Sequence, residues 1–400
     1  MAHGRLVEPD LKFIREVKSA GGDTLKKCYQ CATCSVVCPL SKDGSPFPRK
    51  EMIMAQWGMK DKLIGDVNTM LCHNCGDCNT YCPRGAKPGE VLGAIRAYAY
   101  THFGFPQGLA KLASDGKNLP ILIGIPMAIV LVLWLISGGM HMPDGPVDFS
   151  NFFGHWDFHW LTKTTFFIDI IFLPAAAFSL FASYKGVSAM WNKMSESLEA
   201  SSDYRPSIKQ FVLEFLWPAI KETVQHKRFN ECGTNVDRVK GHLPLLLAFM
   251  GLLVVTGYSF LRKDFYALLV NDPSLHAAIP TYDPFKILAN ISAIALLVGI
   301  AILWANRKKM ESEGKAVPTF YDWFLIIEIA AVGITGLGAE LLRMADFGVL
   351  AYLTYYLHLV SVFMLFFYMP YTKFAHMVYR TFAMAFEKYR ESSFVQKEDS

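Results

Sequence analysis

Three features are absent from this sequence, and each absence excludes a class of function. The N-terminal segment, MAHGRLVEPDLKFIREVK, has no apolar stretch, so we expect no cleaved signal peptide and a reducing compartment for the residues that follow. No Cys-x-x-Cys-His motif occurs, which excludes covalent c-type haem. No two cysteines are adjacent, so the pattern of a substrate-reducing cluster is missing. The chain is therefore expected to be non-catalytic toward soluble substrates by itself.

Eight of the nine cysteines fall in two runs of the form Cys-x-x-Cys-x-x-Cys-x-x-x-Cys-Pro. Two-residue gaps let three thiolates of one loop reach three corners of a cubane, and the fourth cysteine commonly ligates the other cluster. The pattern therefore predicts two [4Fe–4S] clusters. The ninth cysteine, Cys232, is expected to be an inert thiol. We assign Cys28, Cys31, Cys34 and Cys82 to one cluster, and Cys72, Cys75, Cys78 and Cys38 to the other.

From Asn118 onward, the chain is dominated by apolar runs of about 20 residues, each long enough to cross a bilayer as a helix. No alternating strand pattern separates the two cysteine runs. The predicted fold class is therefore all-α, with a helical two-cluster ferredoxin domain (1–110) followed by a six-helix transmembrane domain (111–400). The membrane spans are predicted at about 119–141, 164–184, 243–262, 285–306, 320–343 and 350–372.

Lysine and arginine are concentrated on one side of the predicted topology. They are frequent in the 185–240 loop, after the fourth predicted span and in the C-terminal tail, and rarer in the opposite loops. By the positive-inside rule, both termini and the ferredoxin domain are expected to be cytoplasmic, at the inner membrane. This topology explains the net charge of +4 without a nucleic-acid partner. Residues 208–224 are amphipathic, which predicts a helix either on the membrane surface or against a partner protein.

Two histidines are predicted on the last membrane helix. His358 and His376 are 18 residues apart. At 3.6 residues per turn this is five turns, so both imidazoles are expected on one face, about 27 Å apart along the axis. Pro370 between them is expected to kink the helix. Downstream of two iron–sulfur clusters, such a pair is typical of the axial ligands of two b-type haems.

Each haem requires a second ligand at matching depth. His242 opens the third predicted span on the same side as His376, which predicts a haem held by this pair. A second haem, held by His358, is predicted nearer the opposite surface. The second ligand of this haem is not assigned to one residue, and its candidates are histidines of the opposite loops. The alternative for each of them is a position at the membrane interface without a ligand role. His159 is favoured, then His155, followed by His141 and His276.

Clusters on one side, haem in the bilayer and no site for a soluble substrate together indicate a quinone as redox partner. A quinone site needs a hydrogen bond to a carbonyl oxygen and a proton route. Charged residues within membrane helices are costly and often functional, which makes them candidates. The alternatives are snorkelling for a lysine and a local ion pair for a carboxylate next to an arginine. The candidates are Lys286, Glu340, Arg343, Glu328 and Asp169.

The N-terminal part, with its two cysteine runs, resembles the C subunit of heterodisulfide reductases. The stretch from His358 to His376, with Pro370 between them, resembles the last helix of the cytochrome b gamma subunit of respiratory nitrate reductase. That family has a second histidine on the helix that corresponds to the third span. At the matching position, near Leu252, this chain has no histidine. Fusion of the two modules is similar to the C subunits of quinone-interacting membrane-bound oxidoreductases, the QmoC family.

This resemblance implies soluble partner subunits that contain flavin and iron–sulfur clusters, with menaquinone as the quinone. It also implies a link to adenylylsulfate reductase in sulfate or sulfur respiration. The alternative of the same class is the membrane arm of a heterodisulfide reductase-like or sulfite-reducing complex. The alternative of another class is a redox-sensing membrane anchor or transporter.

Overall fold

The computed structural model of the chain describes residues 8–137, 146–149, 152–153, 166–196, 206–231, 236–270, 275 and 278–398. Within these ranges the regular structure is helical, and the one β-bridge joins Lys42 to Ser45. The all-α prediction is therefore confirmed. The predictions made for His141, His155, His159, His276 and Cys232 lie outside the described residues.

Short helices build the N-terminal part around one buried helix. That helix, the seventh, has apolar residues at helical spacing, and Val91, Leu92 and Ile95 are fully buried in a core with Phe13 and Met52. The helices are α1 (Leu11–Val17), α2 (Thr33–Val36), α3 (Arg49–Gln56), α4 (Lys60–Ile64), α5 (Val67–Leu71), α6 (Asp77–Thr80), α7 (Pro88–Phe103) and α8 (Gln107–Ser114).

The remaining helices include six, among the described residues, that are long and apolar enough to cross a membrane. These six are the ninth, tenth, thirteenth, fifteenth, sixteenth and seventeenth, which confirms the predicted number of spans. In chain order the helices are α9 (Leu119–Ile136), α10 (Phe166–Ser195), α11 (Ile208–Gln210), α12 (Trp217–Val224), α13 (Val236–Phe260), α14 (Ala267–Val270), α15 (Pro284–Ser312), α16 (Phe320–Met344), α17 (Gly348–Tyr368) and α18 (His376–Glu398).

The prediction that His358 and His376 share one helix is wrong. α17 ends at Tyr368, two short 3₁₀ turns follow, and His376 is the first residue of α18. The break follows from Pro370, which has no N–H to continue the helical hydrogen bonds, and from Thr372, whose backbone is extended and whose hydroxyl caps Phe374 N. The five-turn register between the two histidines therefore does not apply.

One continuous apolar core joins the ferredoxin part to the membrane part. Tyr100 of α7 and Met190, on the extension of α10 beyond the predicted span, pack in the same cluster as Phe215 and Tyr379. The amphipathic segment 208–224 therefore packs one face against α18. The two predicted alternatives, contact with the membrane surface and contact with a partner protein, now apply only to its other face, where Trp217 is exposed. The boundary at residue 110 stays a prediction.

Candidate cluster and haem sites

The two cysteine runs have the same backbone conformation at equivalent positions. In the first run Gln30 and Ala32 have positive φ, and in the second run Asn74 and Gly76 do. In each case these residues flank the second cysteine, and a short helix, α2 or α6, follows and holds the third cysteine. A left-handed residue on each side of a cysteine curls the loop, so that three thiols face one volume.

The fourth cysteine of each run crosses to the other run. Cys38 lies beside a small cavity that Cys72, Cys75 and Cys78 also line. Burial first, and then the neighbouring charges of Cys28, Cys31 and Cys82, raise the pKa of the Cys34 thiol to about 11. The cysteines therefore gather in the two groups that the spacing predicts.

The thiols fit a cationic iron centre. Burial raises the pKa of Cys38 to about 12, and the neighbouring thiols add to this effect. Closely spaced thiols become thiolates together only when a metal supplies positive charge. No group of His, Cys, Asp or Glu in the described ranges converges tightly enough for a single ion. A cubane does not require such convergence, because its ligands bind at four corners rather than at one atom.

Hydrogen-bond donors surround the sulfur atoms. The backbone N–H of Asn74 donates to Cys72 Sγ at 3.5 Å, and that of Ala86 donates to Cys82 Sγ at 3.3 Å. The Gln30 amide donates to Cys28 Sγ at 3.4 Å. Such bonds stabilise thiolate charge and are one of the factors that set cluster potentials.

The two cysteine runs differ in exposure. Cys31 is exposed, and the neighbouring side chains of Tyr29 and Val36 are 69% and 84% exposed. In the second run Cys72 and Cys78 are buried, and Cys72 lines the large cavity that reaches the membrane helices; in the first run only Cys34 is buried. The first cluster site is thus more exposed than the second.

The structure brings His242 and His376 together. Their ring centres are 6.4 Å apart, with ring planes at 80°. A metal bound at about 2.0–2.1 Å to a nitrogen of each ring separates the ring centres by roughly 6.3 Å. The spacing therefore fits two imidazoles that would bind one iron, and the residues present would fit a b-type haem.

Hydrogen bonds to Nδ1 leave Nε2 of both rings available for a metal. His242 Nδ1 bonds His226 Nε2 at 2.8 Å, and His376 Nδ1 bonds the Lys373 carbonyl oxygen. Within the described part of the chain, Nε2 of His242 and His376 takes part in no hydrogen bond. Burial lowers the pKa of His376 to about 4, so its imidazole is neutral, as metal ligation requires.

His358 has the same hydrogen-bond arrangement deeper in the membrane part. Its Nδ1 lies 3.2 Å from the Thr335 hydroxyl oxygen, whose own proton is donated to Ala331 O. The ring packs against Gly336, where a Cβ would lie only 2.8 Å from His358 Cε1. His358 Nδ1 is thus the donor, and Nε2 holds the free lone pair.

A cavity of about 1950 Å³ connects the second cluster site to all three histidines. A typical cofactor pocket measures about 300–1,000 Å³, so the space suffices for more than one haem-sized group. Two arginines stand between the sites: Arg238 donates to Asn74 O at 2.7 Å, and Arg380 donates to Cys72 O at 3.3 Å. The cavity is lined by, among others, Cys72, Asn74, Arg238, His242, Leu252, His358, His376 and Arg380.

The predicted quinone residues are not gathered in one site. Lys286 Nζ lies 2.9 Å from Glu340 Oε2, and Arg343 lies 3.1 Å from Glu340 Oε1, so these three form an ion-pair network. Glu328 is buried elsewhere on α16, and its Oε1 has no hydrogen-bond partner in the described part of the chain. The network matches the local ion pair weighed as the alternative for Glu340 and Arg343. Asp169 lies in the first turn of α10, and a quinone role for any of the five candidates stays a prediction.

Sequence reasoning missed His226, Arg238 and Arg380. Arg238 precedes His242 by one helical turn, and Arg380 follows His376 by one turn. An arginine one turn from each predicted ligand histidine could therefore have been recognised in the sequence. No comparable signal marks His226, because its contact with His242 depends on how a loop returns to α13.

Residues 24–86 match the family model described as "4Fe-4S dicluster domain". The N-terminal part of the chain is a dicluster domain of this type. It is 36% identical over 88 residues to the C subunit of the H(2):CoB-CoM heterodisulfide,ferredoxin reductase of Methanothermobacter marburgensis. That match covers 22% of this chain and 47% of the relative, so the chain spans about half the length of the first relatives it matches.

A second kind of relative covers both parts of the chain. "Citrate utilization protein B" of Escherichia coli is 25% identical over 390 residues, which is 93% of this chain and 92% of that protein. A protein of Archaeoglobus profundus, described as like the C subunit of heterodisulfide reductase, is 36% identical over 24% of the chain and 52% of that protein. No solved structure matches the chain. The similarities confirm the predicted resemblance, an iron–sulfur module like the C subunit of heterodisulfide reductase within a longer chain that fits a QmoC-like protein.

Proposed function

We propose that the chain carries electrons between the quinone pool and a soluble flavin and iron–sulfur partner. One observation carries this proposal: a single cavity is lined by Cys72 of the second cluster loop and by His242, His376 and His358. Haem b and the two [4Fe–4S] clusters, when bound, supply one-electron chemistry along this route. The chain contributes the ligands, their orientation and the exclusion of water.

His242 and His376 hold the first haem through Nε2, supported by the 6.4 Å spacing of their rings. His358 holds a second haem deeper in the bilayer, and His159 and His155 remain its predicted partners. Arg238 and Arg380 place positive charge beside the route, where it stabilises anionic groups such as haem carboxylates.

The proposed orientation of the chain rests on its charges and its exposed cluster loop. The lysine- and arginine-rich loops support a cytoplasmic position for the ferredoxin domain, at the inner membrane. The exposed loop around Cys31 meets the soluble partner, and the quinone reaches the chain from the bilayer. Menaquinone, flavin-containing subunits and adenylylsulfate reductase in sulfate respiration are proposed from the resemblance to QmoC proteins.

A second assignment of the same class is favoured by the similarity to the C subunits of heterodisulfide reductases. In this case the chain is the membrane arm of a complex related to those enzymes or of a sulfite-reducing complex. The proteins that co-purify with the full-length chain distinguish the two: flavin subunits support the first assignment, and a catalytic subunit with adjacent cysteines supports the second.

The decisive experiment is a redox titration of the purified chain, followed by optical and EPR spectra. His242→Ala and His376→Ala are both expected to remove the same b-type haem and to block reduction of the clusters by quinol. His102→Ala is the matched control, because this histidine also lines the cavity but has no proposed ligand role. Unchanged haem content in His376→Ala contradicts the assignment. A wild-type preparation with clusters and no haem b favours the redox-sensing anchor or transporter instead.

A further inference from the structure

His226 contacts the proposed haem ligand His242 from a loop that sequence patterns do not mark. It lies between α12 and α13, is 5% exposed and has φ of 53°. Its Nε2 is 2.8 Å from His242 Nδ1, and Phe229 packs within 5.2 Å, centre to centre, of both rings. A left-handed backbone is unfavourable for a residue with a side chain, so the surrounding packing holds this conformation in place.

The hydrogen bonds of His226 fix the protons on both rings. The carbonyl oxygen of Val224 only accepts, so His226 Nδ1, at 3.0 Å from it, is the donor. A neutral imidazole has one N–H, so His226 Nε2 accepts, and the N–H between the rings belongs to His242 Nδ1. The lone pair of His242 is therefore on Nε2, the atom that ligates the iron.

The Nδ1 atoms of the two proposed ligands donate hydrogen bonds to different acceptors. His376 donates to a backbone carbonyl, whereas His242 donates to an imidazole nitrogen. A ring nitrogen is the more basic acceptor, so it draws the Nδ1 proton further and makes His242 the more electron-rich ligand. An electron-rich axial ligand stabilises the oxidised iron and lowers the reduction potential.

We propose that His226 is a positioning residue that fixes the tautomer and ring plane of His242 and lowers the potential of the haem held there. This inference rests on the proposed function, because it requires a haem between His242 and His376. It adds a residue outside the membrane spans to the determinants of that haem's affinity and potential.

The test compares substitutions at His226 in the full-length purified chain. In His226→Leu the acceptor is lost, and we expect haem affinity to fall by about tenfold to a hundredfold, as for other partners of metal ligands, with a raised midpoint potential. In His226→Gln the amide oxygen occupies the position of Nε2 and accepts from His242, so affinity is expected to stay near wild type. The midpoint potential is expected to rise, but by less than in His226→Leu, because an amide oxygen is a less basic acceptor than a ring nitrogen. Phe229→Leu changes the packing against both rings but keeps the hydrogen bond, and serves as the control.

His226→Asn is a second loss-of-acceptor variant that retains a polar side chain. Its amide reaches the Val224 carbonyl but is too short to reach His242, so it is expected to behave like His226→Leu. EPR signals of the clusters report folding in every variant. Wild-type potential and affinity in His226→Asn or His226→Leu overturn the inference. Retention of haem in His242→Ala instead overturns the proposed function.

Discussion

Gly336 provides a sharp test of the role of His358. A Cβ built at Gly336 lies 2.8 Å from His358 Cε1 and 3.2 Å from Nδ1, so Gly336→Ala pushes directly on the imidazole. The neighbouring Gly338 is the matched control on the same helix, because a Cβ there meets its nearest atom, Thr354 Cγ2, at an ordinary 3.5 Å. The ring in Gly336→Ala must retreat from its hydrogen bond to Thr335.

The energies of the two substitutions differ in sign. Replacing a glycine in a helix by alanine stabilises by about 0.5–1 kcal/mol. Overpacking a tight contact costs about 1–3 kcal/mol. Gly336→Ala is therefore expected to lower the free energy of unfolding by up to about 2.5 kcal/mol, whereas Gly338→Ala raises it by about 0.5–1 kcal/mol.

The assay is an optical redox titration of the purified chain, with His358→Ala as reference. We expect Gly336→Ala to shift the midpoint and the band of the component that His358→Ala removes, and Gly338→Ala to leave both unchanged. If His358→Ala removes a component that Gly336→Ala leaves untouched, the contact between Gly336 and His358 has no functional effect. If His358→Ala removes nothing, the second haem is wrongly assigned.

Three further predictions concern the ferredoxin part and its packing. Because the fourth cysteines cross over, Cys38→Ser should abolish the EPR signal of the second cluster and Cys82→Ser that of the first, and loss of the opposite signal in each would contradict the crossing. Burial raises the pKa of Glu51 from 4.5 to about 8, so the folded state holds a proton that the unfolded state releases. Wild-type stability should therefore decline between about pH 4.5 and 8, and Glu51→Gln should flatten that decline in urea unfolding followed by fluorescence. Arg228→Met breaks nearly buried ion pairs and should cost about 3–5 kcal/mol, whereas Lys42→Met, at an exposed pair, should cost below about 1 kcal/mol in the same assay.

Local patterns predicted the helical class, the two cluster motifs and the number of membrane spans. Cysteine spacing is a property of one loop, and apolar length is a property of one helix, so both can be read without knowing what packs against them. Boundaries were less accurate. α10 continues to Ser195 because its extension buries Val187, Met190 and Met194 against the ferredoxin part, which apolar length alone does not reveal.

The histidines show what helical periodicity can and cannot predict. The His242–His376 pair was predicted from matching depth, and the structure brings the two rings together. The five-turn register of His358 and His376 was wrong, because Pro370 and the extended Thr372 end the helix between them. The depth of a residue in the bilayer depends on the length of chain that crosses it. The relative orientation of two residues, in contrast, can be predicted from their spacing only when one unbroken helix joins them.

The sequence by itself determined that this chain holds two iron–sulfur clusters beside a bundle of membrane helices, since both follow from local spacing. Only the tertiary structure decided that one cavity is lined by Cys72 together with His242, His358 and His376, and that His226 contacts His242. These contacts join residues from separate elements, and the path of the chain between those elements depends on packing that no local pattern records.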